Sequence, residues 1–378
     1  MKIVFVGLGG VPFSNRATDV RLGAFADLFV DCGHEVEIIN RFSMVKNTKA
    51  KRYDIYEPFR DFSPSNIIIR LLIYIVALFL EPLVIIKSHW KRKIDILFAS
   101  TGHFADFVVY RLISWLIGAK LVNQYCEAQS SFEYRNIYHS INGYLVDNVS
   151  PKLWDGAVCI SHYLESTCVR VNKNIKTTIV YPFCDFTLFD ECKPRETSQY
   201  ILFCGSIGYK ETIDFILQSY RNSCIKSDVK LRMVLAGDKK EIHSFQANNS
   251  DVIVESGLSY NDLIRRYKEA FALLIPLRNN IRDIARFPNK TCEYCAARGV
   301  VVTTDVGEMS MVFKDLDNAL VASNYAIEDY SEKLNWLGTH NSDAIRRLKE
   351  NSYMTGLKYF SLRAYDSKMR FFLEDLIK

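Results

Sequence analysis

A rhythm of apolar strand, loop and amphipathic helix runs from the first residues of this chain and restarts once, near Tyr200, and few folds are compatible with it. Ile3 to Val6 is a continuous apolar strand ending at Gly7. Beyond a glycine-rich loop, Val20, Ala24, Phe25, Leu28 and Phe29 recur at helical spacing, and Gly33 closes that helix. Val36 to Ile39 reads as the second strand, and further β-like runs fall at 94–99, 120–123, 157–160 and 178–181, with helical stretches between most of them. Alternation of this kind implies a parallel sheet with helices on its faces. From Glu191 to Ser198 the text turns polar (ECKPRETS), and the pattern resumes with YILFCGSIGYKETIDFILQSY. Strands are then expected at 200–204, 231–236, 252–254, 272–275 and 300–303. The fold class is therefore α/β, with two doubly wound Rossmann-like domains over 1–190 and 191–352. A helix over 353–378 follows, with Leu357, Phe360, Leu362, Tyr365, Met369, Phe372 and Leu376 as its apolar contacts. In such sheets ligands lie outside the carboxyl ends of the strands, so two facing domains would bind theirs in the cleft between them.

Composition narrows the function. The 378 residues are 49% hydrophobic and 24% charged, ordinary globular values that exclude disorder, collagen-like repeats and a whole-chain coiled coil. A net charge of +5 is mild for the length and excludes a nucleic-acid-binding composition. Ten scattered cysteines lack the spacing of a disulfide-stapled secreted domain, which fits a reducing cytoplasm. The opening apolar run is too short for a secretory signal. The segment IIIRLLIYIVALFLEPLVIIKSHWKRK, residues 67–93, is the exception to a plain soluble reading. Its uninterrupted part, Leu71 to Leu80, covers about 15 Å as a helix against a bilayer core of about 30 Å. Extending it would carry Glu81 and Pro82 into hydrocarbon, so a span is not expected.

Gly7-Leu8-Gly9-Gly10-Val11-Pro12 follows the first strand but matches a dinucleotide fingerprint poorly. Pro12 stands where a third Gly or Ala belongs, and Asn40 and Arg41 stand where an acid should end the second strand. In the second half, strand 201–204 runs into Gly205-Ser206-Ile207-Gly208-Tyr209-Lys210 with a helix near Glu211, and no Walker ending is present. Lys210 thus stands at a helix N-terminus, where the macrodipole disfavours a cation by ~0.3–1 kcal/mol. RFPNKTCEYCAARGVVVTTDVGE repeats the arrangement, with Pro288 and Asn289 as a helix start and Lys290 in its first turn. Two such lysines make sense around an anion such as a diphosphate, and surface lysines are the plain alternative. Glu293, one turn on, is suited to accept hydrogen bonds from paired hydroxyls such as those of a ribose. Cys292 and Cys295 form a lone Cys-x-x-Cys without two further zinc ligands and read as packing.

MKIVFVGLGG with GAFADLFVDCGHEVEIIN, ILFCGSIGYKETIDFILQSY with LRMVLAGD, and above all RFPNKTCEYCAARGVVVTTDVGE resemble the GT-B glycosyltransferases of the retaining family 4 type, over nearly the whole chain. The resemblance implies a first domain that binds the acceptor and a second that binds a nucleoside-diphosphate sugar, UDP or GDP foremost. It implies a last helix crossing back to the first domain, and sugar transfer with retention and without an active-site metal or other cofactor. Carried over by position, Gly9 and Gly10 would face the donor phosphates and sugar, and Lys210, helped by Gly205, would hold the pyrophosphate. Glu293 would bind the ribose as the second acid of a Glu-x7-Glu motif. The first acid is replaced by Ala285, and the segment matches instead a branch written Arg-Phe-Pro-x-Lys before Glu-Tyr, here Arg286, Phe287, Pro288, Lys290, Glu293 and Tyr294. The basic partner expected just before Lys210 is absent, and its work is assigned to Lys290. Backbone near Gly257 and Leu258 would read the base.

His103, after strand 94–99, would hydrogen-bond near the reacting sugar, and Glu127 would orient the acceptor or act as base. Departure of the diphosphate and same-face entry of the acceptor would depend on phosphate stabilisation and positioning. The resemblance extends to enzymes that elongate lipid-linked sugars in bacterial surface polysaccharide synthesis, at the cytoplasmic face of the membrane. The 67–93 helix, with Arg70, Lys87, Lys91, Arg92 and Lys93, is the candidate docking element; a core helix is the alternative. Two other functions stay open: an NADP-linked oxidoreductase, suggested by the first glycine loop and Arg41, and a non-catalytic nucleotide-sugar-binding subunit, suggested by Ala285.

Overall fold

The computed structural model describes residues 1–8, 11, 17–41, 52–56, 66–132, 136–194, 200–340 and 342–378, with part of the side chains in the first half of the helix Ile67–Lys91 left out. The chain divides into two units, 1–181 with 365–378, and 182–364.

The first unit is built on strands β1 (Lys2–Leu8), β2 (Glu35–Asn40), β3 (Asp54–Tyr56), β4 (Ile96–Ala99), β5 (Lys120–Tyr125), β6 (Gly156–Cys159) and β7 (Lys176–Ile179). They lie in the order β3-β2-β1-β4-β5-β6-β7, every pair parallel. Ile3, Val4, Phe5 and Val6 are fully buried, as an unbroken apolar run between two helical layers requires. Phe5, Phe25, Phe29 and Phe98 form one aromatic cluster, with Phe5 and Phe98 centroids 4.9 Å apart. Val20, expected on the inner stripe of the helix Ala17–Asp31, is exposed; Leu22 takes the inward position.

The helix Ile67–Lys91 is tied to this sheet by the acid that argues against a membrane span. Glu81 accepts from Arg41 Nε at 2.5 Å, from Tyr110 Oη at 2.9 Å and from the Gly7 amide at 3.0 Å. Arg41 also donates to Asp106 at 2.9 Å and Tyr110 at 2.7 Å, and Thr101 donates to Asp106 at 2.6 Å. Burial by itself would lower the pKa of Arg41, but Tyr110, Glu81 and Asp106 raise it, so the buried guanidinium stays charged.

The second unit carries β8 (Tyr200–Ser206), β9 (Lys230–Ala236), β10 (Ile253–Glu255), β11 (Ala272–Ile275), β12 (Val300–Thr304) and β13 (Leu320–Ala322), in the order β10-β9-β8-β11-β12-β13 and all parallel. β3 and β13, three residues each, have too little sequence to show a period.

Two boundaries differ from the sequence reading. The first division falls at 181/182 rather than 190/191, because the short helix Phe186–Glu191 packs on the helix Lys290–Ala296 of the second unit. The tail is two helices rather than one starting at 353. Ser342–Tyr359 packs within the second unit against Lys290–Ala296, and a turn at Leu362–Tyr365 leads to Asp366–Ile377 in the first. There Phe372 and Leu376 close over Gly156, and the Tyr365 hydroxyl accepts the Tyr181 amide at 3.0 Å. Leu357 is exposed, whereas Phe360, Met369, Phe372 and Leu376 are buried.

Candidate functional site

In the second unit the chain leaves β8 toward β9 and later returns on the other side to β11. Loops at the carboxyl ends of β8 and β11 therefore diverge, which is where open parallel sheets receive ligands. The loop after β8 is a tight turn, with the Tyr209 amide on Ser206 O at 3.0 Å and the Gly208 amide on Ser206 Oγ at 3.2 Å. Gly205 lies within β8 itself, with the Phe203 ring across it. Lys210 opens the helix Lys210–Asn222, whose first amides receive no side-chain cap from Tyr209. Its side chain is 73% exposed, with Nζ 3.9 Å from Glu241.

The loop after β11 brings three arginines to the same place. Arg282 and Arg286 lie over the Tyr209 ring, their guanidinium carbons 5.9 and 5.4 Å from its centroid. Arg278 pairs with Glu211 and, through Nε at 3.1 Å, with Asp283; Arg286 reaches Asp283 at 2.6 Å. Asp283 also accepts the Arg278 amide at 2.9 Å, so its buried carboxylate fixes two guanidinium groups beside Lys210. Ala285 is fully buried two residues on, and Asp283, held by its arginines, does not replace the acid that the resemblance places at 285. The loop after β12 closes on this helix through Gly307, at φ +57°, where a Cβ would lie 3.0 Å from Ile284 O.

Glu293, on the helix Lys290–Ala296, accepts from the Tyr260 hydroxyl at 3.2 Å. Enclosure pushes its carboxyl above the usual carboxylate range, and the Lys290 charge and the Tyr260 hydroxyl pull it partway back. Tyr260 opens the helix after Gly257 and Leu258, so the 257–258 loop and Glu293 are brought together; Gly257 is left-handed at φ +70°. Lys290 is placed beside Glu293 and Cys204. Cys292 and Cys295 are buried packing groups, Cys292 donating to Asn289 O at 2.8 Å and Cys295 accepting from Ser352 at 3.6 Å.

In the first unit the corresponding switch point lies between β1 and β4. Gly9 and Gly10 lie outside the described residues, but the loop's flanks are fixed. Gly7, at φ +79°, would place a Cβ 3.2 Å from Ser100 O, and Asn40 exchanges hydrogen bonds with Val11 at 2.8 and 3.2 Å. His103 is exposed at the start of the helix Phe104–Ile117, and its side chain does not cap that helix. Asn142 fixes the backbone on both sides of it, donating to Gly102 O at 2.7 Å and accepting from the Phe104 amide at 2.9 Å. Glu127 is exposed just beyond β5, in a loop held by Asp147, which accepts from Tyr125, Gln129 and Ser130. Gln129 lies 3.5 Å from a Cβ position on Gly102, so the loops of His103 and Glu127 are neighbours.

Arg41 corrects the oxidoreductase alternative. Enclosed by Glu81, Asp106 and Tyr110, it does not present its guanidinium to a cofactor phosphate. Lys87, Lys91, Arg92 and Lys93 are exposed at the end of their helix, and the Arg70 side chain is outside the described residues. Sequence reasoning missed Arg278, Arg282 and Asp283 and gave Arg286 no task; the four-residue spacing of the arginines was their available signal.

Residues 186–355 match the family described as glycosyl transferases group 1. Among solved structures, sucrose-phosphate synthase from Thermosynechococcus elongatus superposes with a TM-score of 0.74 at 12% identity, covering 100% of this chain and 99% of that one. HepE from Anabaena, solved with UDP and glucose, gives 0.70 at 11% identity over 99% and 100%. The lipopolysaccharide outer core galactosyltransferase WaaB gives 0.65 at 13% identity over 99% of each. No curated protein matches the chain in sequence. Two all-parallel Rossmann-like sheets and these full-length superpositions give the chain the GT-B fold, and its second unit is a glycosyl transferases group 1 domain.

Proposed function

We propose that this chain is a retaining glycosyltransferase that moves a sugar from a nucleoside-diphosphate sugar, with UDP or GDP as the carrier, to a glycan or lipid-linked acceptor in surface polysaccharide synthesis. The observation that carries the reading is the set of cations around Tyr209 at the switch point of the second unit. Lys210 stands on an uncapped helix start, with Arg282 and Arg286 stacked beside it. Helix amides and cations gathered around Tyr209 suit a diphosphate, whose charge grows as the sugar–phosphate bond breaks. Neutralisation by the chain's own groups makes the proposed reaction metal-independent. Glu293 and Tyr260 hold the ribose, and the Gly257–Leu258 backbone reads the base.

In this scheme the acceptor hydroxyl enters on the face the diphosphate leaves, with His103 hydrogen-bonding near the sugar and Glu127 orienting the acceptor or taking its proton. HepE, solved with UDP and glucose, supports such a donor. The proposed setting is the cytoplasmic face of a membrane, with the helix Ile67–Lys91 in contact with it. Among the described residues no helix is long and apolar enough to cross. Ala285 favours a second reading, a subunit that binds nucleotide sugar without turnover.

Titration calorimetry against UDP, GDP, CDP, ADP and NADPH tests the donor site. One nucleoside diphosphate should bind, and Arg286→Ala should weaken it by about 1.5–3 kcal/mol, the range for a charge-assisted hydrogen bond. NADPH binding alone overturns the proposal. Release of nucleoside diphosphate with an α-to-α or β-to-β product, read by NMR, separates the enzyme from the subunit and tests retention.

A further inference from the structure

Three neighbouring helices of the first unit share an outer face on which their carboxylates are absent. Right-handed crossovers put the connections running to β4, β5 and β6 on one side of the sheet. The helices Ile67–Lys91, Phe104–Ile117 and Ile137–Asn148 accordingly pack side by side in that order. Each contains one acid, and each acid points inward: Glu81 and Asp106 to Arg41, Asp147 to Tyr125 and Ser130.

The opposite side of these helices is apolar and exposed. Phe79 at 72% and Trp90 at 81% lie on the first, in line with Leu72 and Leu83. Trp115 at 65% and Leu116 at 72% project from the second, and Ile137, Tyr138 and Tyr144 from the third. The charges that end the first helix are cations: Lys87, Lys91 and Lys93 are exposed, and Arg92 pairs with Glu35. Elsewhere the surface mixes signs, as on the helix Ser342–Tyr359, where Asp343 and Glu350 are exposed.

We propose that this three-helix face docks on an anionic phospholipid bilayer. Large exposed apolar side chains in one patch mark an interaction surface. Tryptophan and tyrosine suit the headgroup boundary, where one end of the ring is apolar and the other wet. The surplus of cations complements anionic headgroups and disfavours a second copy of the same face. The inference deepens the membrane contact in the function above by extending it from one helix to three. His103 begins the middle helix and Asn142, on the third, grips its backbone, so the docked face is continuous with the loop assigned to the reacting sugar.

Vesicle co-sedimentation tests the proposal, with phosphatidylcholine alone and with phosphatidylglycerol added, on the wild type, the pair Trp115→Glu with Leu116→Glu, and the triple Lys87→Glu, Lys91→Glu, Lys93→Glu. The wild type should prefer phosphatidylglycerol vesicles and lose them in salt, and each variant should bind roughly tenfold or more weakly. Wild-type protein that ignores these vesicles, or variants that bind as well as it does, would overturn the docking surface. So would a concentration-dependent dimer in sedimentation equilibrium that Trp115→Glu with Leu116→Glu abolishes, since the face would then belong to a second copy. UDP and GDP titrations on the same proteins keep the two readings apart. Wild-type-like urea unfolding and circular dichroism in each variant show that the first unit is folded, and absent nucleotide binding in a wild type that binds vesicles defeats the donor reading alone.

Discussion

Glu293 and Asp283 are carboxylates ten positions apart in sequence with opposite duties. Asp283 is enclosed: two arginines and a backbone amide surround it, and its carboxylate keeps the guanidinium groups in place. Glu293 has Tyr260 on one oxygen and is held above the ordinary carboxylate range by its enclosure, with the Lys290 charge and the Tyr260 hydroxyl opposing that shift. To accept two ribose hydroxyls it must be ionised, so affinity for the nucleoside diphosphate should fall as pH drops through a value above the usual ~4.3 of a glutamic acid. Because its folded pKa is raised, the folded protein takes the proton more readily than the unfolded chain, and this group's contribution to stability grows as pH falls. Loss of binding on mild acidification is therefore not loss of fold at this site. Calorimetry across a pH series, with circular dichroism alongside, should show that acid limb in the wild type and its disappearance in Glu293→Gln. A limb that persists in Glu293→Gln would place the titrating group elsewhere. The helix starts that carry Lys210 and Glu293 were legible in the sequence, because a glycine- or proline-marked start is a local pattern. Arg278, Asp283 and Arg286 acquire a common task only when the β11 loop folds back on Tyr209, and no local pattern states that.

Among the elements, the helix Ile67–Lys91 shows best how far a pattern goes. Its apolar run is legible, and so is the cost of Glu81 in a membrane. The partner is not, because Arg41 lies 40 residues earlier at the end of β2. Removing Glu81 leaves a buried guanidinium with only the Asp106 carboxylate to offset its charge and the Tyr110 hydroxyl to accept a hydrogen bond from it. Glu81→Ala should cost about 3–5 kcal/mol, the usual result of breaking a buried ion pair from one side. Urea unfolding followed by circular dichroism checks this, and a change below about 1 kcal/mol would mean that the pair is solvated. Charge reversal at the exposed Lys91 should leave stability within about 0.5 kcal/mol. The strands show the same limit from the other side. β11 is read to the residue, because both faces are buried and the run is unbroken, whereas β13 has the same burial over three residues and disappears into its surroundings.

At the scale of the whole molecule the two sheets share one construction: each has a switch point next to its first strand, β1 beside β4 and β8 beside β11. The restart near Tyr200 made that duplication legible, and the polar run 191–198 displaced the apparent boundary, because polarity marks an exposed connection whichever unit its neighbours pack against. The arrangement assigns the donor groups to one unit and His103 and Glu127 to the other, so a nucleoside diphosphate should act on stability through the second unit. At a concentration 100 times Kd it should stabilise that unit by about 2.7 kcal/mol. Hydrogen exchange should then slow at 206–212, 257–262 and 278–293, while the amides of β1, β4 and β5 keep their rates. Protection that appears first around Gly7 and Ser100 would move the nucleotide to the other switch point, and with it the roles of every residue assigned to the donor.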